Sequence, residues 1–253
     1  MMSLRSFAAG LLVAAVSLPA SMAAAAETNV AVAANFTEAA KEIAAAFKEK
    51  TGDEAALSFG STGQLYTQIS QDAPFEVFLA ADDERPAKAI TEGYAVEGSD
   101  FTYAIGKIVL WSTDADLVTG EDTLTSGDFD KISIANPTTA PYGAAAVEAM
   151  KALGVYDDLE PKIVQGNNIA QAFQFVQTGN AELGFVALSQ IAASDEGSRW
   201  EVPADLYTPI KQDAVLLKKG EESEAAKAFL DFLKGPEAGA IIEKYGYGTA
   251  AGS

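Results

Sequence analysis

Four short polar turns stand where the sequence suggests that a strand passes into a helix. Their sequences are AANFT (33–37), FGSTGQ (59–64), NPTTAPYGA (136–144) and VQGNNIAQ (164–171). Each turn contains small polar residues and has no charged side chain. The first N–H groups of a helix have no partner within the helix, so they favour a bound anion. Taken together, the four turns predict a site that holds a small anion by neutral donors.

The second turn has the strongest pattern for such a site. Gly60 and Gly63 allow the backbone to approach a ligand closely, and Ser61 and Thr62 add hydroxyl donors. Each turn also has a plain structural interpretation. Asn35 together with Glu38 fits a helix capping box, Ser61 and Thr62 often satisfy their own turn, and Tyr142 could be a packed aromatic.

The composition excludes several kinds of function. The chain of 253 residues contains no histidine and no cysteine, so a Ser-His-Asp triad, a thiolate nucleophile and a cysteine zinc site are all ruled out. The formal net charge of -19 would repel the phosphates of a nucleic acid. Three consecutive acids, Asp82, Asp83 and Glu84, could suggest a metal or catalytic site. Acids also favour the start of a helix, and we adopt that interpretation.

The first 26 residues have the pattern of a secretory signal peptide. Arg5 supplies the positive charge, an apolar run follows, and small residues precede Glu27. The run is too short for a comfortable membrane span and is interrupted by Ser17 and Pro19. We therefore predict export to a bacterial periplasm and a mature chain that begins near Glu27.

Apolar runs alternate with amphipathic stretches along the rest of the chain. This alternation predicts an α/β fold with parallel or mixed sheets flanked by helices. One long strand is expected at 104–112. The units fall into two groups, so we predict two lobes with a ligand cleft between them. Lobe 1 would comprise 27–105 with 209–253, lobe 2 would comprise 106–208, and the hinges would lie near 104–108 and 206–211.

Several segments resemble the periplasmic molybdate-binding proteins of ABC transporters. These segments are VAVAANFTEAAKEIAAAFKEKTG, SFGSTGQLYTQISQDAPFEVFLAADDERP, FTYAIGKIVLWS, ISIANPTTAPYGAAA and LGFVALSQI, and they keep the family's order over essentially the whole mature chain. The resemblance implies a type II periplasmic-binding fold that closes on one oxyanion. It implies ligands at Asn35, at Thr62 with Ser61 beside it, at Tyr142, and at the backbone N–H of Ile169.

Two positions depart from patterns found in the family. Ala34 stands where related members have a threonine, and Ala187 stands where some members have a tyrosine. In the latter case Tyr142 is expected to act as the substitute. These two alanines remove two possible hydroxyl donors.

The sequence and the resemblance together lead to one functional expectation. A monomer without catalytic residues, cofactor or bound metal cation would capture molybdate, and also tungstate, and deliver it to the membrane permease of an ABC importer. A receptor for sulfate or another small oxyanion is the nearest alternative. A secreted hydrolase of an anionic substrate and a structural periplasmic protein are the alternatives from other classes.

Overall fold

The computed structural model describes residues 25–249. Residues 1–24 of the predicted signal peptide lie outside this range. The strands are β1 Glu27–Ala33, β2 Glu54–Gly60, β3 Val77–Leu79, β4 Phe101–Gly106, β5 Ile108–Ser112, β6 Ile132–Ala135, β7 Ile163–Gly166, β8 Leu183–Ala187, β9 Ser198–Glu201 and β10 Ile210–Leu216. The α-helices are α1 Thr37–Thr51, α2 Thr62–Ser70, α3 Glu84–Thr91, α4 Asp122–Ser126, α5 Pro141–Ala152, α6 Tyr156–Leu159, α7 Ile169–Gln177, α8 Leu188–Ile191, α9 Glu224–Leu233 and α10 Pro236–Lys244.

The first sheet has the strand order β2-β1-β3-β10-β4. Strand β1 is parallel to both β2 and β3, whereas β10 is antiparallel to β3 and β4. Buried apolar side chains cover both faces of this sheet. We call this sheet and the helices packed on it lobe 1. Because β10 belongs to it, the chain must return to this lobe after leaving it.

The second sheet has the strand order β7-β6-β8-β5-β9. Strands β7 and β8 are parallel to β6, and β5 is antiparallel to β8 and β9. We call this sheet and its helices lobe 2. Two mixed sheets flanked by helices confirm the predicted fold class.

The predicted strand at 104–112 is wrong, because this run is two strands in two sheets. Strand β4 ends at Gly106 in lobe 1, and β5 begins at Ile108 in lobe 2. The exposed Lys107 separates them and pairs with Glu201 at 2.8 Å. Apolar and largely buried residues lie on both sides of Lys107, so the run resembles one long strand with a single lysine in it. The next crossing lies before Ile210, where β10 begins.

Helix α1 follows its sequence pattern along its length but not at its start. Its buried face consists of Ala39, Ala40, Ile43 and Phe47, and Gly52 ends the helix at φ 83°. The predicted cap at Asn35 is wrong. A 3-10 turn over Ala34–Phe36 precedes α1, and Phe36 occupies the cap position without a side-chain hydrogen bond. The Asn35 side chain is therefore available for other contacts.

None of the helices within residues 25–249 is long and apolar enough to cross a membrane.

Candidate oxyanion-binding site

A small cavity lies between the two lobes, with a volume of about 10 Å³ for the centre of a water-sized sphere. It is formed where strands end and helices begin, in both lobes, as the four turns predict. About 10–15 Å³ on this measure holds one water molecule, so the space suits one small ion and is too small for a sugar or a peptide. All of its lining residues are uncharged. They are Ala33, Ala34, Asn35, Gly60, Ser61, Thr62, Ala81, Ala140, Pro141, Tyr142, Asn168 and Ile169.

Three helices begin at the wall of this cavity. Helix α2 starts at Thr62, α5 at Pro141 and α7 at Ile169. The N-cap side chain of Asn168 accepts a hydrogen bond from the Gln171 N–H at 3.0 Å, while α2 and α5 have no side-chain cap. The partial positive charge of the helix N-termini therefore converges on the cavity from both lobes.

Ser61 and Thr62 present hydroxyl groups with different local partners. Both residues are buried. The Ser61 hydroxyl has no hydrogen-bond partner among the described residues, so it does not satisfy its own turn. The Thr62 hydroxyl oxygen accepts the N–H of Ala81 at 3.0 Å, which leaves its proton uncommitted. Each hydroxyl can thus donate a hydrogen bond to an acceptor in the cavity.

Tyr142 reaches the cavity from lobe 2. The residue is 1% exposed, and its hydroxyl oxygen lies 3.5 Å from Asn35 Nδ2, which donates to it. Burial, and then the neighbouring Tyr247, raises the pKa of Tyr142 well above its ordinary value. The phenol therefore stays protonated and can act as a hydrogen-bond donor.

The Asn35 side chain is the centre of a buried polar network. Its Nδ2 donates to Gln212 Oε1 at 2.6 Å and to the Tyr247 hydroxyl at 3.1 Å. The Asn35 backbone oxygen accepts from Ser189 Oγ at 2.9 Å and from the Tyr247 hydroxyl at 2.7 Å. This network joins β10, the C-terminal segment and α8 at the base of the cavity.

Ile169 and Ala187 differ in their relation to the cavity. Ile169 is buried and lines it. As the first residue of α7, it has an N–H without a partner inside the helix. Ala187 ends β8, does not line this cavity, and donates its N–H to Gln190 Oε1 at 2.9 Å. The structure thus brings Asn35, Ser61, Thr62, Tyr142 and Ile169 together and places Ala187 outside.

The two lobes are in direct contact beside the cavity. Gly63 N donates to Thr139 O at 2.8 Å, and Arg85 Nη2 donates to Thr138 O at 3.1 Å. A Cβ atom on Gly63 would lie only 3.0 Å from Thr139 Cα. The sequence suggested that Gly63 admits a ligand, but its N–H is bonded to the opposite lobe. Its lack of a side chain allows the lobes to approach.

A larger cavity of about 320 Å³ on the same measure lies nearby and has a different lining. Its charged lining side chains are mostly acidic, with Asp82 paired to the Arg85 guanidinium. Burial raises the pKa of Asp82 despite this pair. Asp82 Oδ1 also accepts the N–H of Arg85 at 3.0 Å at the start of α3. The helix-start interpretation of these acids is confirmed, and the acidic lining does not suit an anion.

No group of three or more potential metal ligands occurs within residues 25–249.

The sequence did not predict the residues that form hydrogen bonds with Asn35. Gln212, Ser189 and Tyr247 are distant from it in sequence and lie outside the four turns. Strand β10, IKQDAVL, begins with three polar residues in a row after Ile210, so its sequence does not single out Gln212. Ala81 was also missed, since its contribution is a backbone N–H that the sequence does not reveal.

The two lobes and the small uncharged cavity between them are those of a two-lobed solute-binding protein. The family model of the bacterial extracellular solute-binding proteins matches residues 28–248. The molybdate-binding protein ModA of Rhodobacter capsulatus is 62% identical over 90% of both chains. ModA of Azotobacter vinelandii is 55% identical over 91% of this chain and 93% of its own.

A solved structure agrees with these relatives. The periplasmic molybdate-binding protein of Azotobacter vinelandii has a TM-score of 0.85 and 41% identity, over 88% of this chain and 99% of its own. This chain belongs to the bacterial extracellular solute-binding protein family.

Proposed function

We propose that the protein captures molybdate, and also tungstate, in the periplasm and delivers it to the permease of an ABC importer. One observation carries the proposal. The cavity is uncharged, three helices begin at its wall, and the buried Ser61 and Thr62 hydroxyls each have a proton without a partner among the described residues. The names of the relatives from Rhodobacter capsulatus and Azotobacter vinelandii support molybdate as the ligand.

Neutral donors suit a fully deprotonated tetrahedral oxyanion. Such an ion only accepts hydrogen bonds, and Ser61, Thr62, Tyr142 and the Ile169 N–H can all donate. Monohydrogen phosphate carries a proton that needs an acceptor, so a cavity of donors disfavours it. Sulfate is the closest competitor, because it differs from molybdate chiefly in size. We propose that the dimensions of the cavity select the larger ion.

We propose binding without catalysis at this site. The chain has no histidine, and the cavity lining contains no carboxylate or amine that could act as a general acid or base. The secreted hydrolase is therefore the weaker candidate. On the same grounds we propose that no cofactor takes part and that the oxyanion is cargo.

The decisive experiment compares four ions on the purified mature protein. At a thousandfold excess over its dissociation constant, a ligand that binds only the folded state stabilises that state by about 4 kcal/mol. We expect thermal unfolding and calorimetric titration to rank molybdate and tungstate above sulfate, with phosphate last. Equal responses to sulfate and molybdate would refute the molybdate assignment, and hydrolysis of an anionic ester would favour an enzyme.

We also propose that the protein works as a monomer whose lobes close on the ion. Residues 27–105 with 209–253 would move as one unit and 106–208 as the other, about hinges near 104–108 and 206–211. Small-angle scattering should show a smaller radius of gyration with molybdate than without it. Tight binding at an unchanged radius, starting from an open form, would contradict the hinge model.

A further inference from the structure

Arg85 is a side chain of lobe 1 that reaches across the cleft. It stands in the first turn of α3, and its Nη2 donates to the Thr138 backbone oxygen of lobe 2 at 3.1 Å. Its Nη1 pairs with the carboxylate of Asp82 in its own lobe. Asp82 Oδ1 also accepts the backbone N–H of Arg85 at 3.0 Å. One guanidinium thus joins a carboxylate of lobe 1 to the backbone of lobe 2.

The oxygen that Arg85 contacts belongs to a turn braced by its own hydrogen bonds. The Thr138 N–H donates to Asn136 Oδ1 at 2.9 Å, and the Thr139 N–H donates to the Asn136 backbone oxygen at 3.2 Å. The next carbonyl oxygen, that of Thr139, accepts the Gly63 N–H at 2.8 Å. Lobe 1 therefore holds two successive carbonyls of lobe 2, just before α5 begins.

The contact from Arg85 to Thr138 lies where the walls of the small cavity meet. Ala81 lines this cavity in lobe 1 and directly precedes Asp82, the partner of the guanidinium. Ala140 lines it in lobe 2 and closely follows Thr138 in the braced turn. Because neighbours in the chain move together, the two walls cannot separate at this point while the hydrogen bond persists. An ion enclosed between the lobes leaves after the walls separate, so its release breaks this contact.

We propose that Arg85 is a positioning residue that latches the closed lobes and thereby slows the release of the bound oxyanion. This inference rests on the proposed function of the cavity and on the proposed closure of the lobes. The latch forms after the lobes have met, so it lowers the dissociation rate and leaves the association rate unchanged. Opening leaves no charge unpaired, because Asp82 stays with the guanidinium and the Thr138 oxygen meets water.

The shape of the guanidinium explains why an arginine suits this position. Its planar fork presents separate N–H groups to two acceptors at once. A lysine ammonium carries the same charge, but it ends one bond earlier and has no fork. Arg85→Lys can therefore keep the ion pair with Asp82 and does not at the same time extend to Thr138.

Release kinetics of the purified mature protein test the latch. Protein loaded with radioactive molybdate is mixed with excess unlabelled molybdate, and the label that remains bound is followed over time. Arg85→Met keeps a long side chain but removes every donor, so the dissociation rate should rise about three- to tenfold through the loss of one hydrogen bond. The association rate, obtained from the dissociation rate and the calorimetric dissociation constant, should equal that of the wild type.

Arg199→Met is the matched control for the loss of charge. Arg199 is the other arginine of residues 27–253, and it pairs with Asp195 within lobe 2. Arg199 lines neither the small cavity nor the larger one beside it. Both methionine variants change the net charge by the same amount. Arg199→Met should therefore release molybdate at the wild-type rate.

Arg85→Lys separates a latch from an attraction between charges. A latch predicts faster release from this variant too, because the fork is lost, and the effect should persist at high salt. An attraction between the guanidinium and the dianion instead predicts wild-type release from Arg85→Lys and slower, salt-sensitive association in Arg85→Met. Arg85→Lys keeps a partner for the Asp82 carboxylate, so it carries the test if Arg85→Met does not fold.

The outcomes separate this inference from the proposed function. Wild-type release from Arg85→Lys would overturn the inference, and so would equal acceleration of release in Arg199→Met. If the wild-type protein retains no labelled molybdate and calorimetry detects no binding, the proposed function itself has failed.

Discussion

Substitution of the two neighbouring hydroxyl residues at the start of α2 should affect molybdate binding alike but the stability of the ion-free protein differently. Ser61 Oγ has no hydrogen-bond partner among the described residues. Thr62 Oγ1 accepts the Ala81 N–H at 3.0 Å. Ser61→Ala therefore deprives no protein group of a partner, whereas Thr62→Val leaves a buried N–H unpaired. The two substitutions remove the same chemical group from adjacent positions, so each is the control for the other.

The expected magnitudes follow from these contacts. A hydrogen bond to a charged group contributes roughly 1.5–3 kcal/mol, so both variants should bind molybdate about ten- to a hundredfold more weakly. Without the ion, Ser61→Ala should change the free energy of unfolding by less than about 0.5 kcal/mol. Thr62→Val should lower it by about 1–3 kcal/mol, the cost of an unsatisfied buried donor.

Calorimetric titration with molybdate measures the affinities, and urea unfolding of the ion-free proteins measures the stabilities. Wild-type affinity in Ser61→Ala would mean that this hydroxyl does not contact the ion. A large loss of ion-free stability in the same variant would show that the hydroxyl has a structural partner, contrary to the reasoning. Equal stabilities in the two variants would refute the role assigned to the Ala81 N–H.

Three further substitutions probe the donor set, the lobe contact and a buried acid. Tyr142→Phe should weaken molybdate binding about ten- to a hundredfold, as measured by calorimetric titration. Because the pKa of the Tyr142 hydroxyl lies well above its ordinary value, the wild-type affinity for molybdate should stay constant between about pH 7 and 9.5. A loss of affinity within this range would contradict the role of the protonated hydroxyl. Gly63→Ala should place a Cβ 3.0 Å from Thr139 Cα, so scattering should detect less closure with molybdate, and full closure would refute the role of this contact. Burial raises the pKa of Asp213 in the folded state, so protonation of this carboxyl favours folding. The stabilisation from this protonation is present below about pH 4 and is lost as the pH rises through the raised pKa. Asp213→Asn keeps an acceptor for Thr102 Oγ1 and removes the titrating carboxyl, so it should flatten the pH dependence of urea unfolding above about pH 4; an unchanged profile would contradict this.

Local patterns predicted much of the architecture because each depends on neighbouring residues. The face of α1 that packs into lobe 1 follows from the spacing of Ile43 and Phe47, and Gly52 ends the helix as expected. The predicted start of this helix is wrong, because the Asn35 side chain forms hydrogen bonds with Gln212 and Tyr247 instead of capping its own turn. Local capping rules cannot weigh such distant contacts.

The crossing at Lys107 marks a second limit of the sequence. An apolar run that contains one lysine is compatible with one strand or with two, because buried strands have the same apolar sequence pattern in either sheet. Which sheet each half joins depends on pairing with β10 and β8, residues far along the chain. Sheet membership therefore required the tertiary structure.

The sequence by itself determined that polar, uncharged turns supply the candidate anion site, because residue type and turn chemistry are local properties. It named Asn35, Ser61, Thr62, Tyr142 and Ile169, which the fold brings to one cavity. Only the tertiary structure decided which donors remain uncommitted. The Thr62 oxygen is engaged by Ala81, the Ser61 hydroxyl is not, and the Asn35 amide is held by Gln212. The physical reason is that a hydrogen bond is assigned by distance and direction in space, and sequence separation carries no information about either.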